Sequence, residues 1–426
     1  MRLPDHKLFL SLALAAGLSP AIATSQVTFD SSIESGNGRN FTQVNANTYS
    51  FRLEPDTNAV DRHWFYFVVN GAEGQTLTLR LLETNTTNVP SHWNTARPIA
   101  SPDGGETWDH VTGSVSHSNN VFSFTHTFES DSERIAFHHP YTWTMLQPKL
   151  DEWADSPYAA RTILGESVEG RPIWFFQVTG EDGIGDPGEK LGIWIIARQH
   201  SAETTSSYST EALMDYILSE EEGARALRAN TVINVVPMVN PDGVIAGNYR
   251  QNRTGRNLNR KWDGSANAAT SPEVLVIKEA IDEWVSDGYS YDMFLDIHST
   301  SGANPHFAFH AAAGVQPSLY HDPPNYHAHT RQWLSLVNDH APHFHPTRGA
   351  STSTNQQLAY HNQRIQYGVL AFTPEGAYNR QNYGPTPNAW MTPQQHYEVG
   401  VAMAKAIVDY YELEAPPTRF DAWELF

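Results

Sequence analysis

The chain has 426 residues, of which 40% are apolar, 12% aromatic and 17% charged; that supplies two or three domains with cores of their own and excludes a disordered or collagen-like chain. Lys and Arg number 27 against 47 Asp and Glu, a formal charge of −20 at pH 7, and so acidic a surface repels nucleic acid and anionic membranes. No cysteine is present, which removes disulfides, thiolate nucleophiles and cysteine-ligated zinc and leaves His, Asp and Glu for any metal.

In chain order, Arg2 and Lys7 precede or open an apolar run from Leu8 to Leu18, and Ala21-Ile22-Ala23 gives a small-x-small cleavage pattern. Residues 1–23 therefore read as a signal peptide, with a secreted or periplasmic protein as the expectation. The run is too short to span a bilayer and no later stretch has 18 apolar residues in succession, so no membrane anchor is expected. Residues 24–140 read as an antiparallel β-sandwich. Short alternating runs such as Thr48–Leu53 and Trp64–Val69 are separated by turn clusters such as Ser101-Pro102-Asp103-Gly104-Gly105. His138 and His139 fall at the boundary as packing residues.

Residues 141–426 change pattern. Strands are expected at Gly192–Ala197, Thr231–Met238, Tyr291–Ile297 and Tyr367–Thr373, and helices at residues 204–219, from Pro272 to Val285 behind Ser271 as N-cap, and at Pro393–Tyr411. Alternating strands and helices imply an α/β domain with a mixed central sheet covered by helices.

The chemistry follows the strand ends. His200 and Glu203 come just past the first of these strands, His298 past the third and Glu375 past the fourth. Ligands of open α/β sheets bind at the carboxyl ends of strands, so the four are expected to converge. Two His and one carboxylate leave a zinc ion an open position for water, and Glu375 is placed to take a proton from that water. Taken alone, the H-x-x-E spacing also fits a histidine that merely caps a helix start. Between the second and third strands lie Arg250, Arg253, Arg256 and Arg260. Guanidinium groups suit a carboxylate ligand or a developing oxyanion, while a solvated loop is the plainer alternative.

His200-Ser201-Ala202-Glu203-Thr204, Asn240-Pro241-Asp242-Gly243-Val244, Asn257-Leu258-Asn259-Arg260, Asp296-Ile297-His298 and Thr373-Pro374-Glu375 occur in an order and spacing that resembles the M14 zinc carboxypeptidases, in particular their cytosolic-carboxypeptidase-like branch, which carries a β-sandwich before the catalytic domain. The resemblance implies that His200, Glu203 and His298 bind one zinc ion. It implies that Glu375 is general base and then proton shuttle, and that Arg250 polarises the scissile carbonyl. Asn259 and Arg260 would hold the C-terminal carboxylate of the substrate, a peptide or protein C-terminus. Where carboxypeptidase A-type members carry a mobile tyrosine, this chain has Ala350-Ser351-Thr352-Ser353; Tyr360 and Tyr378 are the nearest substitutes, and neither is assigned. The branch is typically cytosolic, against the export reading.

Arg348 or Arg364, in the stretch approaching Glu375, is expected to line the pocket for the last substrate residue and favour Glu or Asp there. His327, His329, His340, His343 and His345 are expected to be solvated loop residues rather than a second metal site. An amidase of small N-acyl amino acids is the alternative reaction, and a non-enzymatic scaffold a third reading. Oligomeric state is not fixed by the sequence.

Overall fold

The alternating runs before residue 140 form ten strands between Thr28 and Ala136, in two five-stranded sheets. The chain is described here by a computed structural model covering residues 26–86, 90–300, 304–312, 326–378 and 380–416; the signal-peptide reading at 1–23 lies outside the described residues. One sheet runs Thr28–Asp30, Tyr66–Asn70, Ser132–Ala136, Ile99–Ser101 and Asp109–His110. The other runs Arg39–Asn45, Thr48–Arg52, Thr76–Leu81, Val121–Thr127 and Val115–Ser118. The pairings are antiparallel as expected except between Thr48–Arg52 and Thr76–Leu81, which run parallel. Inward positions alternate along the strands and bring Phe51, Phe65, Phe67, Phe122, Phe124 and Trp93 into one aromatic core. Each fully buried ring of this kind contributes about 1.5–3 kcal/mol.

The second part is built on eight strands in the order Ala159–Glu166, Pro172–Val178, Thr231–Val236, Leu191–Ala197, Met293–Thr300, Leu370–Ala377, Phe307–Ala311 and Ala350–Ser351. The four central strands, Thr231–Val236 to Leu370–Ala377, are mutually parallel. The strands Pro172–Val178 and Phe307–Ala311 flank them antiparallel. Both faces are covered, which is why Leu191–Ala197 reads as an unbroken apolar run. Ile193 and Ile195 pack under the helices Thr205–Ile217, Tyr326–His340 and Pro393–Tyr411. Trp194 and Ile196 face the helices Pro272–Ser286 and Ala359–Tyr367.

The structure departs from the sequence expectation in three places. The strands Met293–Thr300 and Leu370–Ala377 run further than their apolar stretches, so His298 and Glu375 sit inside paired strand rather than beyond it. The segment Tyr326–His340, expected as loop, is a helix: Tyr326, Thr330, Trp333, Leu334 and Val337 form a buried stripe that the interspersed histidines obscure. His343 is buried and bonds the Gln395 carbonyl. Ser271 stands at the start of Pro272–Ser286 without capping it; its hydroxyl accepts the Asn267 N–H instead.

Candidate active site

The central strands deliver the site residues to one edge of the sheet. Register places His298 directly opposite Glu375 across the parallel pair, so both lie one interstrand spacing apart, about 4.8 Å. Gly376 lets the start of the helix Thr205–Ile217 press on this strand, since a Cβ there would sit 2.2 Å from the Thr205 hydroxyl. Past Leu191–Ala197 the chain turns sharply: Arg198 has φ of 63°, a left-handed conformation costly for a non-glycine residue. Its buried guanidinium holds the turn by donating to the Ser201 carbonyl at 2.9 Å, the Ser207 hydroxyl at 2.7 Å and the Tyr141 carbonyl at 2.9 Å. Burial lowers its pKa to about 10, leaving it charged at neutral pH. This turn aims His200 and Glu203 back over the strand ends.

His200, Glu203 and His298 are buried and their ligand atoms lie within 4.8 Å of one another; among the described residues no other such group occurs. His200 Nδ1 is 2.7 Å from Glu203 Oε1, His298 Nδ1 is 2.7 Å from Oε2, and the two Nδ1 atoms are 3.0 Å apart. The outer nitrogens are engaged elsewhere. His298 Nε2 meets Asp296 Oδ1 at 2.9 Å, and His200 Nε2 meets Asn257 Oδ1 at 3.0 Å. An Nε2–H given to these oxygens leaves both Nδ1 lone pairs facing the carboxylate, which is the donor set and outer support of a zinc site. Asp296 is itself held by Gln199 at 2.7 Å, and Gln199 by the Trp262 indole at 2.9 Å.

The electrostatics agree with a place for a cation. Burial alone would raise Glu203, but the two imidazoles hold it well below the usual carboxylate range. Burial opposes the charged form of His298, yet Asp296 and Glu203 raise it well above the usual imidazole range. Burial, then Arg250, lower His200 to about 3. Glu375 behaves oppositely to Glu203: burial and then the Glu203 charge push it up to about 8. Its Oε2 is buried and accepts no hydrogen bond.

A cavity of about 350 Å³ joins these groups. Arg250, Asn259 and Arg260 line it with the three metal-type residues and Glu375, alongside Phe309, Leu358, Tyr360 and Thr373, and His92 comes from the 3-10 helix Pro90–Thr95 of the N-terminal β region. The seven residues to which the resemblance gives metal, base or substrate roles thus line one cavity. Arg250 Nη1 stands 3.6 Å from Glu203 Oε1. Arg260 Nη1 donates to the Asn259 carbonyl at 2.6 Å. Asn259 is partly committed: its Oδ1 accepts the Ala359 N–H at 2.8 Å, and its Nδ2 lies 3.2 Å from His298 Nε2. A larger hollow of about 590 Å³, lined by Glu222, His340, Lys405 and Asp409 among others, shares none of these residues.

One expectation is corrected. Neither Arg348 nor Arg364 lines the cavity: Arg348 donates to Asn304 and lies over the Phe307 ring, and Arg364 is buried against the Tyr326 ring. Of the two tyrosines left open, Tyr360 lines the cavity, whereas Tyr378 stacks on His138 at 4.1 Å. Sequence reasoning assigned no role to Asp296, Asn257 or Gln199. For Asp296 a signal existed: residues two apart share one face of a strand, so Asp296-Ile297-His298 places the carboxylate beside the imidazole.

The comparisons with known proteins fit this geometry. Residues 149–386 match the Peptidase_M14 family, described as zinc carboxypeptidase, and residues 29–138 match the cytosolic carboxypeptidase N-terminal domain. The chain is similar to cytosolic carboxypeptidase 6 of Mus musculus, 29% identical over 95% of this chain and 77% of that protein. It is 32% identical to cytosolic carboxypeptidase 6 of Homo sapiens over 64% of this chain and 57% of that protein, so a large part of the human protein has no counterpart in the match. The crystal structure of a metallo-carboxypeptidase from Burkholderia cenocepacia superposes with a TM-score of 0.82 at 26% identity, covering 91% of this chain and 99% of that one. These findings overturn the expected secreted or periplasmic location: the relatives and the N-terminal family are cytosolic carboxypeptidases and point to a cytosolic protein. No helix among the described residues is long and apolar enough to cross a membrane. The chain belongs to the Peptidase_M14 zinc carboxypeptidases, hydrolases that use one zinc ion, and carries the N-terminal domain of their cytosolic branch.

Proposed function

We propose that this metallocarboxypeptidase removes C-terminal residues from peptides or proteins, with His200, Glu203 and His298 holding the zinc and the chain dividing near residue 140 into a sandwich and a catalytic domain. The observation that carries the reading is the meeting, in one cavity, of a His-Glu-His group, a carboxyl whose Oε2 has no protein partner, and two arginines. When bound, the ion supplies Lewis acidity to the scissile carbonyl and acidifies the attacking water. Glu375 Oε2 accepts the proton of that water and hands it to the leaving amide nitrogen. Arg250 stabilises charge that develops on the carbonyl oxygen. Arg260, with the Nδ2 amino group of Asn259, holds the terminal carboxylate, a fork-to-carboxylate pairing that Lys would not reproduce.

An acidic last residue is the side chain we propose as preferred. Its support is electrostatic rather than a direct contact: the cavity cations are Arg250 and Arg260, and Arg364 sits buried one helical turn beyond the cavity-lining Tyr360.

The test is incubation of the zinc-loaded protein with peptides ending in Glu, Leu, Lys and Phe, each with a free and an amidated C-terminus, followed by mass. Single-residue loss from free termini only, fastest for Glu, is the expected result. Loss from amidated termini would refute the carboxylate clamp, equal rates for Glu and Leu would refute the acidic preference, and cleavage of N-acyl amino acids alone would mark an amidase. In the same assay Arg260→Ala is expected to lower kcat/KM on free-terminus peptides roughly 10- to 100-fold, as for loss of hydrogen bonds to a charged group. An unchanged kcat/KM would remove Arg260 from the clamp.

A further inference from the structure

The loop bearing Arg250 is fastened from outside the catalytic sheet. Asp56, in the turn Pro55-Asp56-Thr57-Asn58 of the N-terminal β region, is 3% exposed. Its Oδ1 accepts the Tyr249 N–H at 2.7 Å, and its Oδ2 accepts the N–H groups of Arg250 and Gln251, each at 2.7 Å. Three successive backbone donors on one carboxylate fix the peptide planes on both sides of the Arg250 Cα, and so the direction in which its side chain leaves the backbone. The same turn meets the loop again at Gly255, where φ is +73° and a Cβ would stand 2.1 Å from the Thr57 carbonyl oxygen. On its other side the loop reaches the metal-type group: the Ala202 N–H donates to the Tyr249 carbonyl at 2.9 Å, and the Ser201 hydroxyl to the Gln251 carbonyl at 3.2 Å. Burial pushes Asp56 up to about 6, against the pull of the three N–H groups, so it is an anion at neutral pH.

We propose that Asp56 is a positioning residue for the hydrolytic reaction, through which the N-terminal sheets set the guanidinium of Arg250 over the scissile bond. This rests on the reading of Arg250 as the group that stabilises the carbonyl oxygen. A carboxylate is required because an amide in its place turns an N–H2 group toward backbone donors.

The experiment compares D56N, R250A and the double variant D56N/R250A as zinc-loaded full chains on one free-terminus peptide, reading kcat, KM and bound zinc. D56N is expected to lose about 10- to 100-fold in kcat, as for a small misplacement of a catalytic group, with KM and zinc content nearly unchanged. On the R250A background it is expected to cost nothing further, since Asp56 acts through Arg250. Normal kcat in D56N beside a crippled R250A overturns the proposal alone, as does an equal loss on both backgrounds or a loss of zinc that parallels the loss of activity. Normal kcat in R250A overturns the role of Arg250 and the proposal with it. Should D56N not fold, D56E, with both oxygens kept one methylene further out, carries the same comparison with R250A.

Discussion

Glu375→Gln is expected to keep one zinc per chain and to lose about 10²- to 10⁴-fold in kcat, the range for removal of a positioned general base. The substitution keeps the shape of the side chain, and Glu375 makes none of the bonds that hold His200, Glu203 and His298 together. What it removes is the proton-accepting oxygen, which lies directly across the parallel strand pair from His298. A second readout follows from its titration. With a pKa near 8 in the folded metal-free chain against an ordinary 4.5, the fold favours the protonated carboxyl. Stability from this group is complete below about pH 4.5 and is lost as pH rises to 8. The metal-free Gln variant is therefore expected to melt higher than its metal-free parent at pH 8, with the difference gone by pH 4.5. Near-normal kcat in the variant would take Glu375 out of the mechanism, and equal melting at pH 8 would show that its carboxyl is not held in the protonated form.

The residues of the candidate site were legible because their signals are local and chemical: His200 and Glu203 share one turn, and His298 and Glu375 end apolar runs that read as central strands. The fold class followed from the same runs. What was not legible depends on contacts distant in sequence. The hairpin Ala159–Glu166 with Pro172–Val178 carries mostly half-exposed residues at the sheet edge, so its apolar signal is diluted. The helix Tyr326–His340 was hidden because His took the polar positions usually marked by charge. The pocket assignment of Arg348 and Arg364 failed for another reason: nearness in sequence to Glu375 says nothing about which wall a side chain faces, and Arg364 is turned into the core against Tyr326. The export reading rested on residues 1–23 alone, and the relatives contradict it. Asp56 could not have been found from the chain, since its partners lie 193 to 195 residues away.

His298→Ala and Asp296→Asn, measured side by side, are expected to separate holding the metal from tuning it. His298 supplies one of three converging ligand atoms, so its loss leaves two, and zinc is expected to fall from one per chain toward zero after dialysis, taking activity with it. His200→Ala is expected to do the same. Asp296 supplies none; it fixes the His298 ring by accepting from Nε2 and is fixed in turn by Gln199. Its replacement by Asn keeps the size of the side chain and offers Nε2 a weaker acceptor. Loss of such an outer partner costs 10- to 100-fold in metal affinity. Asp296→Asn is thus expected to stay stoichiometric in excess zinc, to yield its metal to a chelator at about 10- to 100-fold lower concentration, and to regain turnover when zinc is restored. Full zinc retention in His298→Ala would show that the ion is held elsewhere. Loss of zinc in Asp296→Asn as complete as in His298→Ala would mean that the carboxylate orders the whole strand end rather than one imidazole.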